Sequence, residues 1–124
     1  MSASIPAAHV KIKRVYDAPA SNDGVRILVD RLWPRGVSKR NAAVDHWRRD
    51  VAPSDALRQW FGHEPSRWPE FRRRYAAELA GQREAVRDLR ALGRRRVVTL
   101  LYAAHDEAHN NAIALRHILL GRAL

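Results

Sequence analysis

Cysteine is absent from this 124-residue chain. That excludes a disulfide framework, a thiolate metal site and a cysteine nucleophile. Lysine is scarce: of 23 basic residues only Lys11, Lys13 and Lys39 are lysine, so arginine supplies twenty. Acidic residues number 13, leaving a formal charge of +10. No apolar run approaches the length of a membrane span. There is no internal repeat, no low-complexity linker, no phosphate loop, no G-x-G-x-x-G and no G-x-S-x-G. Helix-turn-helix and zinc-finger patterns and a serine–histidine–acid triad are missing too. The opening MSASIPAAHVKIK lacks the apolar core of a secretory signal, so residues 1–9 read as a short flexible lead and cytoplasmic residence is expected.

What is present fits a globular protein. The hydrophobic fraction is 46%, and residues 10–124 are long enough for one domain with one core. Residues 10–16 alternate apolar and basic side chains, as a half-exposed strand does. Residues 25–29 and 97–101 are nearly continuous aliphatic runs and predict buried strands. Ser38 is placed to cap a short helix, Ser54 a second ending at Gly62, and Ser66 a third with Pro69 in its first turn. Residues 84–92 predict another helix closing at Gly93, and residues 45–53 are ambiguous. A last helix carries Ile113, Leu115, Ile118 and Leu119. The whole predicts a small single-domain α/β fold, with a mainly parallel central sheet flanked by helices. Right-handed crossovers bring the loops 30–36 and 102–111 to one edge, across one cleft.

Those loops hold the candidate site. Ligands of α/β proteins bind beyond the carboxyl ends of strands, and helix N-termini attract anions. Asp30, Arg31, Trp33 and Arg35 form the first group, an anion pocket with Asp30 orienting an arginine. The bland alternative is an Asp30–arginine ion pair fixing the loop, with Trp33 as a lid. Tyr102, Asp106, His109, Asn110 and Asn111 form the second group. Asp106 is an N-cap candidate with His109 at N3, and His109 suits acid–base work near neutral pH. His105 and His109 have the spacing of one helix face, but H-x-E-x-H is not H-E-x-x-H, so no metal is expected. Asn110 and Asn111 are poor helix formers, which points to a ligand or network role. His63, after Gly62, reads as an exposed loop residue on the binding side.

Several motifs together resemble the YeaO-like branch of the bacterial family called domain of unknown function 488. They are Asp30-Arg31-Leu32-Trp33-Pro34-Arg35-Gly36, Trp60-Phe61-Gly62-His63, Arg67-Trp68 with Phe71-Arg72-Arg73-Arg74-Tyr75, and Leu100-Leu101-Tyr102-Ala103-Ala104 with His109-Asn110-Asn111-Ala112. The resemblance implies an α/β fold and carries no established activity. The wider family has Asp-x-Arg after its second strand and cysteine–histidine–arginine before its last helix. Asp30 with Arg31 (adjacent rather than spaced) and His109 resemble these. Ala108 and Asn110 occupy the cysteine and arginine positions.

Three functions follow as expectations. The first is binding of an anionic small molecule, such as a nucleotide or phosphorylated metabolite, with His109 as acid–base if there is catalysis. The second is a nucleic-acid partner held by Arg72, Arg73, Arg74, Arg94, Arg95 and Arg96. Aromatics interleave with basic residues from Trp60 to Tyr75, yet helical periodicity explains them as a core stripe, and genome composition explains arginine excess. The third is a non-catalytic interaction module. The sequence specifies no cofactor and no oligomeric state.

Overall fold

The computed structural model describes residues 4–121. Four strands form one sheet: β1 (Val10–Arg14), β2 (Val25–Leu28), β3 (His46–Trp47) and β4 (Val98–Tyr102). Their order is β1-β4-β2-β3, and every pair is parallel. Val98 faces both Val10 and Val25, so β4 is the spine of the sheet. Among the described residues there are also five α-helices: α1 (Lys39–Ala42), α2 (Asp55–Phe61), α3 (Trp68–Ala80), α4 (Arg83–Arg95) and α5 (Asn111–Leu119).

Strand alternation divides the sheet into two unequal faces. Ile27, Val98, Leu100 and Tyr102 point into the main core with Leu57, Phe61, Phe71, Tyr75, Leu79, Leu89 and Leu115. Leu28 and Leu101 point the other way, into a small cluster with Val15 and Ala42 that Trp33 and Trp47 flank. Helices α2 to α5 supply the first layer. Only α1 and loops cover the second.

The departures from expectation have local causes. A third, edge strand lies in the ambiguous stretch. Only two residues long, it is held by Asp45 N–H donating to Arg26 O and Arg48 N–H to Leu28 O, at 2.8 and 2.9 Å. Ser38 and Ser54 do cap α1 and α2, accepting from Asn41 and Leu57 N–H. Ser66 does not cap α3. It lies in a 3₁₀ turn, Pro65–Arg67, where Glu64 caps it instead. Helix α4 runs through Gly93 rather than stopping there. A β-carbon at that position would stand 3.4 Å from Ile5 and 3.6 Å from Val10, so glycine permits close packing of the residues before β1. Ala7–His9 forms a 3₁₀ turn, and His9 Nδ1 lies 2.7 Å from Gly93 O.

At the amino end of β2, Asp23 is only 3% exposed. Burial alone raises its carboxyl. The Ala20 N–H, the Lys13 ammonium and the Arg26 guanidinium outweigh burial and hold it down to about 2. A carboxyl lowered on folding stabilises above its unfolded value and loses that contribution as pH falls through the folded value. Held at about 2 instead of the ordinary 3.8, the carboxyl contributes about 2–3 kcal/mol, lost between roughly pH 5 and pH 2. Urea unfolding measured across that range should show it, and Asp23→Asn should flatten the slope. Parallel slopes for the two proteins would contradict this account.

Candidate functional site

The strands are parallel, so their carboxyl ends meet at one edge. Loops 30–36 and 103–110, the end of α2 and the side of α3 surround a cleft there, with a volume of about 640 Å³. Asp30, two residues beyond β2, forms its floor. One Asp30 oxygen accepts the Ala103 N–H at 3.0 Å, and the other accepts Asn111 Nδ2 at 3.0 Å. Asn111 Nδ2 also donates to Val29 O at 2.9 Å. The ends of β2 and β4 and the first turn of α5 are thus joined through one carboxylate and one amide.

Burial pushes the Asp30 carboxyl above its ordinary range, against the Asn111 and Ala103 hydrogen bonds and the field of Arg58. Its sign is opposite to that of Asp23. Its contribution is present at low pH and is lost as pH rises through the raised value. Asp30 does not pair with Arg31 or Arg35, which corrects both the orienting and the ion-pair expectation. Arg31 turns toward the chain between β3 and α2, its Nε donating to Pro53 O at 3.0 Å. Those carbonyls are fixed in an irregular segment that needs donors, whereas Asp30 already has two. The Arg35 guanidinium makes no hydrogen bond or ion pair among the described residues, while its carbonyl accepts the Tyr16 hydroxyl at 3.0 Å. Trp33 packs edge-on to Trp47, ring centroids 5.4 Å apart, and donates to Val37 O, so it is a wall rather than a hinged cover.

The second loop spans the expected stretch, but α5 begins at Asn111, so Asp106 is not its N-cap. Asn110 is its N-cap: buried, it accepts from Ile113 N–H and donates to Asp106 O. Asp106 caps a separate tight turn, accepting from Ala108 and His109 N–H at 2.8 and 3.0 Å. His105 and His109 therefore share a loop and not a helix face. Asp106 Oδ2 holds His109 Nδ1 at 2.9 Å, which leaves Nε2 unengaged, and the imidazole stands edge-on to Trp68. That His109 contact is the main reason the Asp106 carboxyl lies below its usual range. Arg14 Nε braces the loop by donating to Ala104 O at 3.0 Å.

His63 lies on the cleft wall with φ +57°, next to the Phe61 ring. Tyr102 does not line the cleft; its side chain is in the core, where burial raises its phenol. Tyr16, Arg58, Phe61 and Phe71 also line the cleft and were not placed there from sequence, and His105, weighed above with His109 as a metal pair, lines it too. The signal for Arg58 was available: it precedes Phe61 by one helical turn on α2, so the two share a face. Tyr16 and Leu32, the two large exposed hydrophobics among the described residues, both stand at the cleft. Among the same residues, no group of histidine and carboxylate side chains is arranged to hold a metal ion.

The arginines of the nucleic-acid expectation do not gather on one face. Arg72 stacks on Trp68, and Arg73 and Arg74 are held by Glu70. Arg94, Arg95 and Arg96 lie on another helix end. Trp60, expected in the core, sits half-buried between the guanidinia of Arg67 and Arg74, 5.5 and 4.2 Å from its ring centre. Among the described residues no helix is long and apolar enough to cross a membrane.

Comparison with known proteins agrees with the motifs. The chain is 41% identical over 107 residues to the uncharacterized protein YeaO of Escherichia coli, covering 86% of this chain and 93% of that one. It is 43% identical over 113 residues to uncharacterized proteins of Mycobacterium tuberculosis and Mycobacterium bovis, covering 91% of this chain and 95% of theirs. No solved structure matches. The model of the family DUF488-N3i matches residues 9–123, nearly the whole chain, and the protein therefore belongs to what that family is described as, the inactive DUF488-N3 subclade.

Proposed function

We propose that the cleft binds a small organic anion with an apolar or aromatic body, and that the protein acts as a binder without turnover. The observation that carries this reading is the pairing of opposites in one cleft: an exposed apolar mouth, Tyr16 and Leu32, beside an Arg35 guanidinium with no hydrogen bond or ion pair among the described residues. Exposed apolar surface and unneutralised arginine both favour a ligand that covers one and pairs with the other. Arg58, His63, His105 and His109 add donors around the same space. His109 is presented with Nδ1 on Asp106, so its Nε2 can meet a ligand oxygen. The absence of a thiol at Ala108 and the family's description as inactive both support binding over catalysis.

A thermal-shift screen against nucleotides, sugar phosphates and aromatic carboxylates tests the proposal. The ligand should raise the melting temperature through linkage. The joint change Arg35→Ala with His109→Ala removes two charge-assisted contacts and should weaken binding at least about tenfold. Affinity that survives both changes would remove the assignment, and so would conversion of the bound compound during incubation.

A further inference from the structure

We propose that a second site, a groove between α3, α4 and α5, takes an acidic amphipathic helix from a partner protein. Arg83, Arg87, Arg90 and Arg94 follow each other along one stripe of α4 and form its rim. The spacing repeats every three or four residues, as one helix face requires. Ala76 and Ala80 of α3 and Ile118 of α5 present apolar surface above the buried Leu79 and Val86, and the space enclosed is about 380 Å³. None of these residues lines the cleft at the strand ends.

Charge complementarity determines the occupant. Arg83 and Arg87 are exposed and have no hydrogen bond or ion pair among the described residues. The acids of α4 lie elsewhere: Glu84 and Asp88 face another depression, and Asp88 reaches Arg48 at 3.6 Å. Arg90 is fixed in place, its guanidinium donating to Ile118 O at 2.8 Å and Leu119 O at 3.3 Å, so it ties the middle of the rim to the end of α5. The arginine stripe spans twelve residues of helix, roughly 16 Å from first to last, which matches three turns of a partner helix. The small side chains of Ala76 and Ala80 let such a helix approach closely, with its apolar anchors on the floor and its carboxylates along the rim. Nucleic acid fits less well, since single strands bind by stacking on aromatics and this groove has none.

The test is fluorescence anisotropy on the whole protein at physiological salt. The probe is a labelled amphipathic peptide of about four helical turns, leucines on one face and glutamates flanking them. Saturable binding is expected. Arg83→Glu with Arg87→Glu should weaken it at least about tenfold, whereas Lys39→Glu with Arg40→Glu on α1 should change it less than about twofold. Replacing the leucines of the peptide by serine should also weaken binding at least about tenfold. Circular dichroism monitors folding; if the double reversal unfolds, Arg83→Gln with Arg87→Gln takes its place. No saturable binding, equal loss in both pairs of variants, or indifference to the serine peptide each overturns the proposal. So does an oligothymidylate that binds in place of the peptide and is lost with Arg83 and Arg87.

Discussion

Gly24→Ala is expected to abolish the fold or to destabilise it by more than about 4 kcal/mol, the range in which backbone strain and steric overlap act together. Gly24 has φ +66°, and a β-carbon there would stand 2.0 Å from the carbonyl oxygen of Val97 and 2.7 Å from its carbon. That carbonyl accepts the Val25 N–H at 3.0 Å, so it cannot move aside without breaking the first rung between β2 and β4. Both obstacles are backbone, which has no rotamer to change. Gly36 is the control: its φ is +76°, but nothing lies within 4 Å of a β-carbon built on it. Gly36→Ala should therefore show conformational strain alone, about 1 kcal/mol. Urea melts of the two variants separate strain from collision, and similar losses in both would overturn the steric argument.

Arg26→Met should destabilise by about 3–5 kcal/mol, because it takes from the buried Asp23 carboxylate one of its two cationic partners, Lys13 being the other, and leaves buried carbonyls without a donor. The Arg26 and Asp23 side chains are 5% and 4% exposed and meet at 2.6 Å. The remaining donors of the guanidinium satisfy the carbonyls of Ala42, at 2.8 Å, and Ala43, at 3.1 Å, where α1 ends in a left-handed residue. Thr99 Oγ1 donates to Asp23 O at 2.6 Å from the neighbouring strand. Methionine fills the volume and removes every donor. Lysine keeps the charge but cannot fork, so Arg26→Lys should fall between the two. Adding Asp23→Asn to Arg26→Met should restore part of the loss, since the stranded carboxylate is gone. A double-mutant cycle measures this directly, and simple additivity would mean that the pair is not coupled.

The sequence made some of this legible. Strands 25–28 and 98–102 were visible because central parallel strands need apolar side chains on both faces, the edge strand 10–14 by its alternation, and their shared edge followed from crossover handedness. β3 was not visible, because two residues carry no periodicity and their pairing depends wholly on β2. The start of α5 was misplaced for a related reason. Asp106 and Asn110 are both good caps, and the choice was made by tertiary packing, which buries Asn110 and bonds its amide at both ends. At the cleft, the two loops were readable from their polar residues after aliphatic runs. Arg58 and Phe61 were hidden because a helical stripe of Leu57, Trp60 and Phe61 reads as core. Phe61 indeed belongs to the core and also forms part of the cleft wall. A wall of this kind has no signature apart from burial.

The position of β4 at the centre of the sheet sets the order of events during folding. β1 is the first strand in the chain, yet its sole neighbour is β4, with Val10 opposite Val98. Until residues 98–102 are in place, β1 has nothing to pair with and β2 has only the two-residue β3. Helices α2, α3 and α4 are contiguous in sequence and can assemble by local contacts beforehand. The slow step is then the closing of a loop that spans most of the chain, as expected for folds of high contact order. During that interval the strands that later form a protected interior present open edges to whatever is nearby.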